Sequence, residues 1–341
     1  MDPSKLTLTP LRISTMVVTA HLGTTLNLQT LLECFHEQAI PLSWPDEGPL
    51  KLEYKPIQPV AADATKEVIA KAKATAKLQE KVVIGTCSRD ELTSRKKSKN
   101  IFFNQATLVV RRRVHPDLFK EVNIKLFRNG GVQMTGIPSD EFAQATLAWL
   151  AALLASFSRP VLEGAASPRN YNIQLINSDY QVNGSINRER LHEILVQDYN
   201  LFSSFESTIY QGCDTKYYYN EAAPLTAPEG ICPCGDTICS GTGDGRSIGA
   251  CKEITISPFH TGSVIITGAR RFEQIQKAYV FINKILTRHC ADVIKPHPEP
   301  TAKPKATDKP KATDKPKATP KPKAAAKPKA AAKPKSNVAA V

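Results

Sequence analysis

Apolar residues recur at positions 143, 147, 150 and 154, and again at 275, 279, 282 and 286. The spacing i, i+4, i+7, i+11 marks one face of a helix, so the pattern predicts two amphipathic helices, the first N-capped by Ser139. A constant offset of 132 relates them. The same offset relates the stretches just before: FRNGGVQMTG (127–136) and FHTGSVIITG (259–268) share Phe127/Phe259, Gly130/Gly262, Val132/Val264, Thr135/Thr267 and Gly136/Gly268. Phe-x-x-Gly reads as a tight turn between two strands, with glycine supplying dihedrals that other residues avoid. Thr-Gly reads as the end of the last strand before the helix.

A second matched block lies upstream. LGTTLNLQTLLECF (22–35) parallels VNGSINRERLHEIL (182–195) at an offset of 160, with Leu31 on Leu191. Each block follows a β-rich run, LRISTMVVTA or YNIQLINSDY, and enters a short helix. Further strands are predicted at 102–110 and 122–127 in the first copy, and at 204–212 and 252–259 in the second. Each copy thus reads strand, short helix, several antiparallel strands, long helix. The fold class is α+β, built from two pseudo-symmetric repeats, residues 1–160 and 161–294.

Two helices over five strands cover one face of a sheet and leave the other open. A long open β-face is a liability unless it has a ligand. Alternation puts Phe127, Gln133 and Thr135 on one face, and Phe259, Ile265 and Thr267 at the equivalent places. A Phe at the rim of such a face is a candidate for the wedges that minor-groove proteins push between base steps. The other reading makes both Phe ordinary core residues.

The doubled pattern F-x-x-G-x-V-x-x-T-G followed by a helix, with NIQLINSDYQVNGSINRERL opening the second copy, resembles the TATA-box-binding protein family. The likeness is to a divergent form, as in large DNA viruses, and covers about residues 11–157 and 169–290. It implies a saddle: a curved antiparallel sheet with helices on the convex face. It also implies two DNA-inserting Phe per repeat. The second of each pair falls on Phe127 and Phe259; the first falls on Phe205 and on Phe103, with Phe102 as the competing register. Thr135 and Thr267 match threonines of the minor-groove floor, and Val17 an apolar contact.

The chain departs from the family in places. The paired asparagines of the family fall on Thr15 and Leu175, and Asn177, on the same strand face, is a candidate substitute. Gln133 and Lys125 replace aliphatic contacts in the first repeat, and Ser257 another in the second. A more polar floor predicts tolerance of different base steps, since groove readout is mostly A·T against G·C. The implied function is a transcription initiation factor that binds and kinks promoter DNA and recruits a TFIIB-like factor and RNA polymerase. The alternative is an architectural protein that bends and compacts DNA without promoter choice. Similar saddle-like units accompany DNA glycosylases, but no catalytic constellation stands out here, and His192 and His260 read as surface or packing residues. No enzymatic activity and no small-molecule substrate are expected.

Composition adds three points. The net charge is +13, but residues 301–341 hold 12 Lys against 2 Asp, so the rest is nearly balanced. Proline every few residues in 295–341 forbids a stable helix, and nothing apolar there can form a core. This stretch resembles the Lys-Pro-Ala tails of linker histones and reads as a disordered, sequence-independent DNA tether; a solubility or localisation tail is the alternative. Second, residues 44–100 read as an insertion with a helix at 61–81 and a basic end at 94–100; RRR (111–113) is another basic cluster.

Third, residues 220–251 read as an insertion carrying Cys232, Cys234, Cys239 and Cys251, spaced C-x-C-x4-C-x11-C. Four thiolates suit one tetrahedral structural zinc; a flexible thiol-rich loop is the alternative, and Cys213 is a candidate replacement ligand. Joining two strands at the end away from the Phe pair, this loop is expected to dock a protein rather than DNA. No signal peptide is recognisable, and the longest apolar run, 142–157, is too short and polar for a membrane span. An intracellular location is expected, in a host nucleus or a cytoplasmic viral factory, or packaged in a virion.

Overall fold

The computed structural model describes residues 2–38, 42–55, 65–67, 80–87, 104–235 and 239–296. The described residues fall within one compact unit, Met1–His297. Residues 297–341 lie outside the described residues, as does most of 44–100, including the basic segment 94–100.

This unit is built on one antiparallel sheet. Its strands in chain order are β1 (Arg12–His21), β2 (Gly48–Tyr54), β3 (Glu80–Val83), β4 (Gln105–His115), β5 (Leu118–Phe127), β6 (Gly131–Ile137), β7 (Arg169–Gln181), β9 (Ser203–Ser204), β10 (Asp214–Tyr219), β11 (Lys252–Pro258) and β12 (Ser263–Ala269). Across the sheet they run β3-β2-β4-β5-β6-β1-β7-β12-β11-β10-β9. A separate two-stranded ladder joins β8 (Gly184–Ile186) to β13 (Ile294–Pro296). The helices are α1 (Leu28–Gln38), α2 (Asp140–Ala155), α3 (Arg188–Gln197), α4 (Phe272–Arg288) and the short α5 (Cys290–Val293). Setting β3 and β8 aside, each half reads strand, helix, four strands, helix, and the halves meet where β1 pairs with β7.

The helical faces are those the apolar spacing predicts. In α2, Ala143, Leu147, Leu150 and Leu154 are buried, and the Ser139 hydroxyl accepts from the Phe142 N–H at 3.2 Å as the N-cap. In α4, Ile275, Ile282 and Leu286 are buried. Tyr279 lies at the edge of this face, its ring 4.8 Å from that of Tyr180 on β7. One core lies between helices and sheet: Met16, Val18, Ile124, Met134, Ile176, Ile254, Ile256 and Ile266 are all fully buried. Their neighbours on the same strands, pointing the other way, are half-buried except Ser257. One face is therefore packed, and the centre of the other is open among the described residues.

The two halves superimpose in their hydrogen-bond registers. In β1–β6, Met16 opposes Ile137, Val17 opposes Thr135 and Thr19 opposes Gln133. In β7–β12, Ile176 opposes Ala269, Asn177 opposes Thr267 and Asp179 opposes Ile265. Every pair is displaced by the same two offsets read from the sequence. So is the bulge between Met16 and Val17, matched on the partner strand at 267–269. Thr-Gly does not end the strand as expected. The bulge absorbs Gly136 and Gly268, and each strand runs one residue further.

The Phe-x-x-Gly turns form as predicted. Gly130 N–H donates to the Phe127 carbonyl at 2.9 Å, and Gly262 N–H to that of Phe259 at 3.0 Å. Both glycines have positive φ, 93° and 85°. A Cβ would lie 2.0 Å from the Thr24 carbonyl oxygen at the first and 2.4 Å from that of Gly184 at the second. Gly130→Ala and Gly262→Ala should each cost about 3 kcal/mol from backbone strain and clash together. Urea denaturation would measure this, and a loss below about 1 kcal/mol in either would contradict the equivalence of the turns.

Other expectations need correcting. The strand expected at 204–212 is largely a loop. Glu206 accepts from the Thr208 N–H and hydroxyl, and its carbonyl accepts from the Ile209 and Tyr210 N–H groups, which folds the chain into turns. The strand is β10, whose Tyr217 and Tyr219 are buried. The stretch 44–100 contains β2 and β3, which pair into the sheet. Within the expected helix 61–81, Glu80 and Lys81 are strand, opposite Tyr54 and Glu53. Lastly, RRR is no single basic patch, because alternation splits it. Arg112 turns to the helix side, 4.6 Å from the Trp149 ring, whereas Arg111 donates to the Ser43 and Asp46 carbonyls on the other.

Candidate nucleic-acid interface

The centre of the open face is a pseudo-dyad. Met16 and Ile176 oppose each other in the core layer, and around them Thr15 pairs with Asn177 and Val17 with Leu175. Each strand carries an irregularity at the equivalent place, at Ser14 in β1 and Gln174 in β7. These let residues on either side of the dyad keep to one face despite the extra residue.

Thr15, Val17, Lys125, Gln133, Thr135, Asn177, Ile265 and Thr267 are half-buried, and their flanking neighbours are buried except at the irregular positions Ser14, Gly136 and Gly268. The fold brings them together on one face. Their polar groups are partly committed. The Thr15 hydroxyl accepts from the Gly136 N–H at 3.2 Å, and the Thr267 hydroxyl donates to Asn177 Oδ1. That second bond fixes the Asn177 amide with its NH2 as the donor end. Ser257, expected on this floor, is instead 2% exposed and donates to Asp214 Oδ1 at 3.1 Å. The reason is local crowding. A Cβ at the neighbouring Gly212 would meet Tyr210, Phe259 and Ser257 together.

The aromatic rims differ between halves. Phe127 is half-buried at the end of β5, beside its turn. Phe259 occupies the equivalent place and makes an edge contact with Tyr210, ring centroids 5.6 Å apart. Phe205 packs at the edge of the core under the Arg188 guanidinium, 5.0 Å from the ring centroid. None of the three is sealed beneath the long helices. Phe103 and its competitor Phe102 lie outside the described residues. At the second rim the loop also exposes Ile209, 85% accessible, and Tyr210, 44%. Sequence reading missed both, having taken the loop for a strand.

Segments 42–47 and 84–87 close over the outer end of the first half. Leu42, Leu50, Cys87 and Val109 form a small apolar cluster there. Cys87 Sγ lies 3.3 Å from Glu121 Oε2, and Trp44 packs on Phe119 at 4.8 Å. The open face is thereby narrowed at that end. At the other end, Lys216 donates to Thr255 at 2.8 Å and lies within 3.6 Å of both Asp214 and Glu253. Its charge is therefore neutralised within the sheet.

The cysteine insertion joins β10 to β11, at the opposite end of β11 from Phe259, as expected. The sulfurs of Cys232, Cys234, Cys239 and Cys251 lie within 4.8 Å of one another. Cys251 Sγ is 3.6 Å from Cys232 Sγ and 3.4 Å from Cys234 Sγ. A tetrahedral S4 site with bonds of about 2.3 Å separates its sulfurs by roughly 3.8 Å, so the donor set fits zinc. Asn220 Nδ2 donates to Cys251 Sγ and the Gly249 N–H to Cys234 Sγ, each at 3.1 Å. Such N–H···S bonds orient thiolate ligands. Cys213 does not belong to this set: it is fully buried beneath β10, near the Ser203 and Thr215 hydroxyls. The loop is braced against α4, with Arg271 bound to Glu221 at 2.6 Å and Gln274 donating to the Asp244 carbonyl at 2.9 Å. His192 and His260 serve packing, at the Ser203 hydroxyl and the Ile186 carbonyl. Among the described residues, no helix is long and apolar enough to cross a membrane.

A doubled strand–helix–sheet–helix unit closed about a pseudo-dyad, with one face open, defines a TATA-box-binding-protein-like saddle. No family model matches the chain. It is similar to a protein described as TATA-box-binding protein-like from Acanthamoeba polyphaga mimivirus, 28% identical over 207 residues, which are 58% of this chain and 51% of that protein. The chain thus spans about half the length of this relative. Among solved structures, the Methanococcus jannaschii TBP aligns with a TM-score of 0.39 at 16% identity, over 82% of this chain and 97% of that one.

Proposed function

We propose that the protein is a transcription initiation factor whose open β-face binds double-stranded DNA in a widened minor groove and kinks it at both ends. The observation that carries the reading is the register equivalence of the two halves, which sets equivalent positions about a dyad on a face open at its centre among the described residues, with Phe127 and Phe259 at opposite rims. Unstacking costs a few kcal/mol per kinked step, offset by the larger surface a bent duplex brings into contact. Thr135, Thr267, Val17, Ile265, Thr15, Asn177, Gln133 and Lys125 would face the groove floor. Phe103 and Phe205 would complete the wedge pairs. We take residues 1–160 and 161–294 as the two half-saddles and 295–341 as a basic tether. The bent complex would present its ends to a TFIIB-like factor and RNA polymerase, within a nucleus or a viral factory. The cysteine loop would hold one structural zinc, with no open ligand position and so no catalysis by the metal.

A second reading, an architectural DNA-bending protein, is favoured by the polar floor at Lys125, Gln133 and Asn177, which weakens sequence choice. Selection from a randomised duplex library, followed by bend-angle measurement on the winners, tests both. Bent winners sharing a short A·T-rich site support the initiation factor; bent winners without a shared site support the architectural role. Unbent winners would remove the wedge mechanism.

A further inference from the structure

The two halves differ at several equivalent positions on the open face, and one of these differences places an ion pair beside the pseudo-dyad in the second half alone. In the first half, Thr19 opposes Asn172; in the second, Asp179 opposes Arg12. The first pair is neutral. The Thr19 hydroxyl accepts from Gln174 Nε2 at 2.8 Å and lies 3.5 Å from the Asn172 carbonyl. The second pair is a two-pronged ion pair, with Arg12 Nε 2.9 Å from Asp179 Oδ1 and Nη2 2.8 Å from Oδ2. Asp179 points away from the core, since Ser178 and Tyr180 on either side are buried against the helix layer. Its side chain is 26% exposed and that of Arg12 is 74% exposed.

A carboxylate only accepts hydrogen bonds, and Arg12 occupies one acceptor direction on each oxygen, leaving others free. In the minor groove an A·T pair offers acceptors alone, adenine N3 and thymine O2. The guanine 2-amino group is the one donor there. Asp179 therefore opposes A·T and can pair with G·C, while Arg12 cancels the charge that would otherwise repel the duplex. Thr19, able to donate or accept, makes no such distinction. We infer that Asp179, held by Arg12, selects a G·C pair in the half of the site under the second repeat and so gives the two-fold face one direction on DNA.

The inference rests on the minor-groove reading above. Its test uses the full chain and A·T duplexes carrying one G·C pair at each position in turn, each with a twin in which inosine, lacking the 2-amino group, replaces guanine. Wild type should prefer G·C over I·C about tenfold at a position off centre in one half only. Asp179→Thr, which copies the first-half residue, should abolish the preference while leaving thermal stability and duplex bending intact. Equal binding of G·C and I·C everywhere, with the duplex still bent, overturns the inference and spares the minor-groove reading. So does a preference in both halves, or one that Asp179→Thr leaves unchanged. Failure of every duplex to bind or bend overturns the reading itself and the inference with it.

Discussion

Replacing Phe127 and Phe259 together by alanine is expected to straighten the bound duplex and weaken binding about a hundredfold. The two rings sit at equivalent turn-proximal positions on opposite rims, half-buried and outside the core. If they act as wedges, removing both forfeits the stacking that replaces two broken base steps, a term of a few kcal/mol per step. Folding should suffer less, because Phe127 has no place in the main cluster and Phe259 loses chiefly its edge contact with Tyr210. Fluorescence energy transfer between the duplex ends would report the bend, and a thermal melt the fold. Phe127→Leu with Phe259→Leu is the control. Leucine also works as an apolar wedge, so most of the bend should return. An alanine double variant that folds, binds and bends like wild type would exclude both rings from the mechanism.

Replacing Cys232 and Cys234 together by serine is expected to release one equivalent of zinc per chain and open the 220–251 loop to protease. Apparent binding free energies of structural zinc reach roughly 10 kcal/mol in small domains. Here the loss should stay local, because the loop is tied to α4 by Arg271 and Gln274 while the sheet keeps its own core. Elemental analysis measures the metal, and limited proteolysis the loop. Duplex binding should change little, since the loop leaves β10 at the end away from Phe259. A purified wild-type protein without zinc, its loop already open to protease, would replace the metal site by a flexible thiol-rich loop.

The duplication, its two offsets, the faces of the long helices and the glycine turns were legible in the chain. Each depends on local geometry: helical spacing, strand alternation, and a dihedral only glycine takes without strain. Ser139 and the four-cysteine set belong here too, the first because a cap acts within one turn, the second because the four thiols lie close along the chain. Tertiary structure alone decided what depends on register and crowding. Arg12 and Asp179, far apart in sequence, meet only because β1 pairs with β7. Ser257 is lost from the floor where the Glu206–Tyr210 turns bring Tyr210 to Gly212, crowding it together with Phe259 and Ser257. Arg111 is buried by carbonyls from a segment that composition marked merely as an insertion. Side-chain types and periods declare which face a residue takes; which partners share that face is settled when strands from opposite ends of the chain come into register.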